Sequence, residues 1–436
     1  MNDRERGVKD RSRVMTGAGM LLRVLNWDDI PLLCYAATGP VAWVGMWAGL
    51  LLGRSRMNRL VGRAPALPTT APHVTIVVPA KDEAAGIRAC VERLLRQDYP
   101  SFDVRVIDDR STDGTSDILD ELARNVAQEN GVPREDARTR REEQNVSKSV
   151  LQVMHVAPGA LPAGWLGKCH ALHVGTRDVT SAWVLFVDSD VTLEPAALRA
   201  AMGLALARGY DAVSLMTRLN GRTFMERLMI PVAAGAWAIM FQISLTNNDN
   251  RPVAYANGQF LLARREVYER AGNHEAVKGE IVEDCALMRN MKSTGAKVRL
   301  MIGNHLAATT MHATLGELKS GWGRIYAGTS GYRPWRIIAT IVFTITSGLS
   351  VYPALVWGVT VWGRTSDPTW LTLSLAHFAL MTGHLMYLYR SARGNPLLAL
   401  LWPVSGVVLL RLLVEGAKRC KNKTIEWRGT TFKAGV

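Results

Sequence analysis

The chain has 436 residues, 48% of them hydrophobic and 21% charged, with a formal net charge of +14. That apolar content excludes a disordered chain, the charged fifth excludes a channel buried wholly in a bilayer, and the length suits about two or three domains. The five cysteines (Cys34, Cys90, Cys169, Cys285 and Cys420) are scattered, with no CxxC pair and no Cys/His ligand spacing, and so predict reduced thiols rather than a disulfide framework or a structural zinc site.

Residues 1–30 form a basic tail with acids mixed in. Residues 31–52 carry no charge and have about the length that crosses a hydrocarbon core of roughly 30 Å. Arg54, Arg56, Arg59 and Arg63 follow at once. The run is too long and too far from the start for a cleaved leader, so it is read as a retained transmembrane anchor. With apolar runs at both ends of the chain, the basic excess is assigned to anionic lipid headgroups and not to nucleic acid. Residues 65–72 hold three prolines and read as a linker.

From 73 to 330 the pattern alternates strands and helices, which predicts an α/β domain with a mostly parallel sheet. Strands are predicted at Val74–Val78, Val104–Ile107, Leu151–Val156 and Trp183–Val187, and helices at Ala84–Arg96, Ser116–Asn125 and Cys169–Arg177. Residues 126–149 are polar and read as a surface loop or insertion. Met229–Leu245 is an apolar stretch with Trp237 and Phe241, which suits either a core helix or a helix in the membrane interface.

Beyond the domain, a membrane region over 337–414 contains apolar segments at about 337–362, 370–389 and 397–414. Arg411 interrupts the last, which leaves two or three spans. A basic tail occupies 415–436. Arg54–Arg63 places the middle domain in the cytoplasm by the positive-inside rule. Four full spans would then set the basic tail outside, so one C-terminal segment is expected to lie in the interface.

Ligands of open α/β sheets bind beyond the carboxyl ends of the strands. The first strand is followed by Lys81, Asp82 and Glu83, the second by Asp108 and Asp109, and the fourth by Asp188 and Asp190. One acidic turn is ordinary capping chemistry, and Asp113 is read that way. Three acidic strand ends on one rim point to a site. Asp188 and Asp190 flank one small residue, and an extended backbone would aim both at one hard cation. Mg²⁺ or Mn²⁺ suits that pair, completing its shell with substrate phosphates. Lys168, after Gly167 at a helix start, suits a phosphate. His170 and His173 have no partners at ligand spacing and are read as packing or surface residues. Asn257-Gly258 makes a turn into a strand. Glu283 and Asp284 open an apolar-periodic helix, either as ordinary N-terminal acids or as a general base and its neighbour.

Taken in order, VPAKDE, IDDRSTDGT, GWLGKCHAL, LFVDSD, YANGQFLLARR and VEDCAL resemble a family 2 glycosyltransferase of the GT-A fold. The membrane branch with hopanoid-associated, carotenoid-acid and ceramide glycosyltransferases is the part it looks like, and the late Ile425-Glu426-Trp427-Arg428-Gly429 adds to that likeness. The resemblance covers about 73–330. It implies inverting transfer of a sugar, from a UDP-sugar by expectation, to a membrane lipid. By matching position it implies that Asp108 or Asp109 contacts the base, that Pro79, Lys81 and Glu83 line the donor pocket, and that Lys168 meets the diphosphate. It further implies that Asp188 and Asp190 hold the metal and that Asp284 is the base beside Glu283. A Gln/Arg-x-x-Arg-Trp motif is absent where processive polymer synthases carry it. Trp322 and Arg324 stand nearest, as residues for acceptor stacking and phosphate contact. That departure favours single transfer over a polysaccharide synthase. A non-catalytic nucleotide-sugar-binding membrane protein is the alternative from another class. The expected place is the inner membrane, multi-pass, with the catalytic domain on the cytoplasmic side.

Overall fold

A computed structural model describes residues 29–56, 67–68, 70–131, 150–310, 314–422, 424–427 and 430–433. Most of the N-terminal tail, Arg59, Arg63, most of the proline linker, residues 132–149, Lys423, Arg428 and Gly429 lie outside them.

The main sheet has strands β1 (Val74–Ala80), β2 (Phe102–Asp108), β3 (Val150–His155), β4 (Trp183–Phe186), β6 (Ala212–Met216), β8 (Leu261–Arg264) and β9 (Val298–Ile302), in the order β3-β2-β1-β4-β8-β6-β9. Every pairing is parallel except that β8 runs against β4 and β6. Short strands β5 (Val191–Leu193), β7 (Arg218–Leu219) and β10 (Ala307–Thr309) form a second sheet beside it. The predicted strands are present with shifted ends: β1 and β2 are longer, β2 beginning at Phe102 because Phe102 pairs with Val74, β3 lies one residue earlier, and β4 stops at Phe186.

Helices cover both faces, as a sheet apolar on both sides requires. Ile76 and Val78 of β1 face a layer that includes α3 (Ile87–Leu95), α4 (Thr115–Gly131) and α6 (Ala197–Arg208). Val77, on the alternate face, packs with α5 (Gly167–Thr176), α8 (Arg265–Arg270) and α9 (Glu283–Ser293). The α4 helix runs to Gly131, through the first residues expected to be loop, because Val126 continues its apolar stripe against the sheet.

A second core lies apart from the sheet. Its helices are α1 (Ile30–Ala36) continuing to α2 (Ala42–Arg56), α7 (Phe224–Phe241), α10 (Leu315–Thr329), α11 (Trp335–Phe343), α12 (Val351–Thr365), α13 (Thr369–Ser391) and α14 (Trp402–Asn422). Among the described residues five helices are long and apolar enough to cross a membrane: Ile30–Gly53, Phe224–Phe241, Trp335–Thr365, Thr369–Ser391 and Pro396–Asn422. Arg411 does not break α14; it stands on the exposed side of an unbroken helix. The apolar stretch near Met229 becomes α7, opened by a Thr223/Glu226 capping box. Although it interrupts the α/β domain in sequence, α7 packs on α10, α11, α13 and α14.

Two π-helical turns, Ala37–Val41 and Thr344–Leu349, mark where these helices meet. A π turn disturbs the regular hydrogen-bond ladder, and in an apolar medium a carbonyl without its helical donor needs another. The Ser347 carbonyl accepts from the Trp43 indole and from His377 Nε2, and the Gly348 carbonyl accepts from the Trp402 indole at 2.9 Å. Residues from α2, α13 and α14 thereby lock onto one turn.

Helix α5 approaches the sheet so closely that a β-carbon on Gly175 would lie 2.4 Å from Ile107 Cδ1 and 3.2 Å from Val77 Cγ1. Both are fully buried, so neither can yield cheaply. We expect Gly175→Ala to destabilise the protein by about 1–2 kcal/mol, overpacking outweighing the gain in helix propensity. Thermal unfolding of the purified variant checks this.

Candidate active site

The site lies where β1, β4, α5 and α9 end or begin. Its cleft is lined by Pro79, Lys168, Asp188, Gly258, Glu283 and Asp284, with Leu172, Phe186, Leu261 and His274 as the apolar and aromatic part. Pro79 comes from β1, Asp188 follows β4, Lys168 stands in the first turn of α5, and the two acids open α9.

Lys168 is the hub. Its Nζ donates to Asp188 Oδ1 and to Glu283 Oε1, each at 2.7 Å. Burial works against its charge, but Asp188, Glu283 and Asp284 outweigh that and hold the ammonium well above its ordinary pKa. The expected phosphate contact is therefore, in this state, an ion bridge between the two acidic motifs. His274 lies beneath: it is buried, hydrogen-bonded through Nδ1 to the Tyr268 hydroxyl at 2.7 Å, and held down to about 3 by burial and by Lys168. It stays neutral. Sequence reasoning missed it, and no spacing or partner in the sequence marks it.

Asp284 is clamped by the backbone. Oδ2 accepts from the Gly258 N–H at 2.6 Å and Oδ1 from the Cys285 N–H at 2.7 Å. Burial and the neighbouring Glu283 push its carboxyl up to about 7, against the pull of Lys168 and of these hydrogen bonds. A carboxyl raised toward neutrality and fixed in a cleft is a candidate for proton transfer. Gly258 is required here: a β-carbon would lie 3.2 Å from Lys168 Nζ and 3.3 Å from Asp284 Oδ2. The Asn257-Gly258 turn predicted from sequence is thus the seat of the acid.

Asp188 and Asp190 do not lie on an extended strand as expected. The chain turns there, with the Val191 N–H donating to the Asp188 carbonyl at 3.2 Å. The two carboxylates still sense each other. Displacement of water by the surrounding protein, then Asp188 and Glu83, push Asp190 up to about 6, although solvent reaches its tip. Among the described residues no group of three or more His, Cys, Asp or Glu side chains could hold a metal ion alone. A pair of oxygen donors whose mutual repulsion asks for a cation fits Mg²⁺ or Mn²⁺ that takes its remaining ligands from a phosphate substrate and water.

The two acids expected to contact the nucleotide base differ in their surroundings. Asp108 is consumed by the fold: its carboxylate accepts from the Ser111 N–H, from Ser116 Oγ at 2.5 Å and from His155 Nδ1 at 3.0 Å. Burial favours its neutral form, but these donors hold it below the ordinary range. Asp109 is equally buried, with Oδ1 held by Arg110 at 2.5 Å, yet among the described residues its Oδ2 has no hydrogen-bond donor. Lys81 is half-buried just past β1, and the Glu83 N–H donates to Thr115 Oγ1 at 2.8 Å. Neither lines the cleft floor. Trp322 is 4% exposed and packs on Tyr326 in the second core, so no face of its indole is open for stacking. Arg324 is half-buried on the same helix. The structure does not bring these two to the acidic cluster.

A family model described as "Glycosyltransferase like family 2" matches residues 71–320. No curated protein matches the chain. Among solved structures, a mannosyltransferase from Pyrobaculum calidifontis in complex with GDP-Man and Mn²⁺ is 17% identical, with 88% of this chain and 98% of that chain covered and a TM-score of 0.49. TarS 1–349 of S. aureus in complex with UDP-GlcNAc is 13% identical over 82% of this chain and 95% of that one, with a TM-score of 0.37. Glucosyl-3-phosphoglycerate synthase from Mycobacterium tuberculosis, with Mn²⁺, UDP and its product, is 17% identical over 59% and 80%, with a TM-score of 0.36.

Removing the hub charge tests the cluster directly. Lys168→Met leaves three crowded carboxylates uncompensated, and a loss of about 3 kcal/mol is expected at pH 8. A carboxyl whose folded pKa is raised weighs against folding above that pKa and stops doing so below its unfolded value. The deficit should therefore shrink toward pH 4, as read by unfolding of wild type and variant in parallel.

Proposed function

The chain belongs to the glycosyltransferase-like family 2, and from that membership we propose that it moves one sugar from a nucleotide sugar to a hydroxyl of a membrane lipid, inverting the anomeric centre. The observation that carries this reading is the clamped, raised Asp284 facing Lys168 across one cleft. Inversion by a single displacement needs a base on one side of the anomeric carbon and positive charge for the leaving group on the other, and the cluster offers both.

In this reading Asp284 takes the proton of the acceptor hydroxyl as its oxygen forms a bond to the anomeric carbon. The bond from that carbon to the diphosphate oxygen breaks, and its electron pair leaves with the nucleoside diphosphate. The Gly258 and Cys285 N–H groups hold Asp284 in place without taking its basicity away. Glu283 Oε1, 2.7 Å from Lys168 Nζ, keeps the ammonium at the cleft. When the donor arrives, Lys168 exchanges part of its contact with Asp188 for a phosphate oxygen. Asp188 and Asp190 would hold Mg²⁺ or Mn²⁺, which supplies charge to stabilise the diphosphate. A UDP-sugar is the expected donor, with Asp109 toward its base and with Pro79, Lys81 and Glu83 bordering it. The apolar helices supply the lipid surface. By the positive-inside rule, the Arg54–Arg63 cluster after the first of them supports the reading that the catalytic domain lies on the cytoplasmic side of the inner membrane.

The test is release of nucleoside diphosphate and glycolipid by the purified full chain, given a panel of UDP- and GDP-sugars, Mg²⁺ or Mn²⁺ and a total lipid extract. Asp284→Asn should lower transfer by about 10²–10⁴-fold with an unchanged unfolding profile. Full activity in that variant would sink the assignment. Because the base acts only when ionised, the wild-type rate should rise with pH through a midpoint well above an ordinary carboxylate's. Asp284→Asn should lose that rise. Asp190→Ala should abolish metal-dependent release.

A further inference from the structure

A cavity of about 390 Å³ lies inside the second core, between α2, α7, α11, α13 and α14. Along α11 and the π turn that follows it, the cavity runs from Arg336 to Gly348, a span of about 18 Å. That volume is within the range of ordinary ligand sites. Its walls are apolar, with Trp43, Val232, Phe343, Leu385 and Leu409 among them. Its rim includes Ile239 and Trp335, 44% and 62% exposed, on the face that α7 and α11 turn outward. A lipid in the bilayer could enter there without crossing water.

Thr340 and Thr344 in the lining donate their hydroxyls to carbonyls one turn back on their own helix, and two further polar places break this surface. At one end stand Gln242 and Arg336. The Arg336 guanidinium lies over the Phe241 and Trp335 rings, 5.9 Å and 5.2 Å from their centroids, and interacts with the Tyr255 hydroxyl. Tyr255 is three residues before Gly258, whose N–H holds Asp284, so the chain leads from this end of the cavity to the candidate base. The other polar place is His384. It is 1% exposed and set edge-on to Trp43 and Trp47, and neither ring nitrogen has a hydrogen-bond partner. An unmet buried donor or acceptor costs about 1–3 kcal/mol, and a bound molecule that meets it recovers that loss. His384 lies at the level of Trp43 and Phe343, about two turns of α11 beyond Arg336.

We infer that this cavity is the acceptor site, and that it takes an amphiphilic lipid whose hydroxylated head lies at the Arg336 end, from which the chain leads through Tyr255 to the seat of Asp284, and whose body carries a second hydrogen-bonding group, a hydroxyl or an amide, that reaches His384. This rests on the reading of the chain as a lipid glycosyltransferase. It adds a specificity: simple alkyl lipids leave His384 unmet and bind more weakly.

The full chain in nanodiscs is photolabelled with two diazirine-bearing long-chain alcohols that differ only in one mid-chain hydroxyl. Peptides of α11 and α13 should be labelled in wild type. The hydroxylated probe should label at about tenfold lower concentration, which corresponds to about 1.4 kcal/mol. His384→Leu should erase the difference between probes and raise KM for the lipid extract about tenfold, with kcat and donor hydrolysis unchanged; His384→Asn should restore part of it. Ala236→Trp, which fills the cavity, should abolish labelling by both probes, and Ala339→Trp at the mouth serves if that variant fails to fold. Equal labelling by the two probes, unmoved by His384→Leu, would show only bulk bilayer chains in the cavity and overturn the proposal. Labels confined to other helices would overturn it too. Selective labelling without any sugar transfer would support the lipid site and defeat the transferase reading.

Discussion

The arrangement turns on one ammonium group. Asp188, Glu283 and Asp284 come from two segments about a hundred residues apart, and folding brings them into one cleft where like charges repel. Lys168, bonded to two of them at 2.7 Å, makes that convergence tolerable. Its own position is set by α5, which sits against β1 and β2 only because Gly175 has no side chain. Gly258 leaves room on the other side of the ammonium. Both glycines act through absent volume, and both serve the same charge.

The second constraint joins the catalytic domain to its apolar helices. Helix α7 leaves the domain between β7 and β8 and is held in the other core, while Tyr326 of α10 donates to the Ala233 carbonyl of α7 at 3.0 Å. Glycines again permit close contact. A β-carbon on Gly235 of α7 would lie 2.8 Å from Leu388 Cδ1 of α13, and between α10 and α14 one on Gly323 would lie 2.7 Å from Glu415 Cγ. Close approach through small residues is how helices associate where no hydrophobic force separates protein from lipid. Because α7 ends at Phe241 and the chain returns through Tyr255 to Gly258, this coupling ties the apolar helices to the backbone that holds Asp284.

Much of the α/β domain was legible because buried parallel strands are short, β-branched and flanked by turn residues. The acids at their ends could be put on one rim by the general rule for such sheets. What failed did so for definite reasons. Asp188 and Asp190 were read as extended, but the strand ends at Phe186 and the chain turns. Trp322 was read as a stacking surface, but its helix is turned into the second core, and a helix's rotation is set by its partners. Asp108 and Asp109 look alike in sequence. Only the fold shows that Ser111, Ser116 and His155 saturate one and leave an oxygen of the other open.

The sequence alone determined the order of elements, the alternation that makes a mostly parallel sheet, the apolar segments at the ends, and the acidic motifs, since each depends on neighbours in the chain. The tertiary structure decided what those groups meet. Lys168 became a bridge between two acidic motifs, α7 left its domain for another core, and His384 came to line a cavity with neither nitrogen satisfied. These outcomes depend on distances between segments far apart in the chain, and the charge, burial and hydrogen bonding of each group follow from those distances.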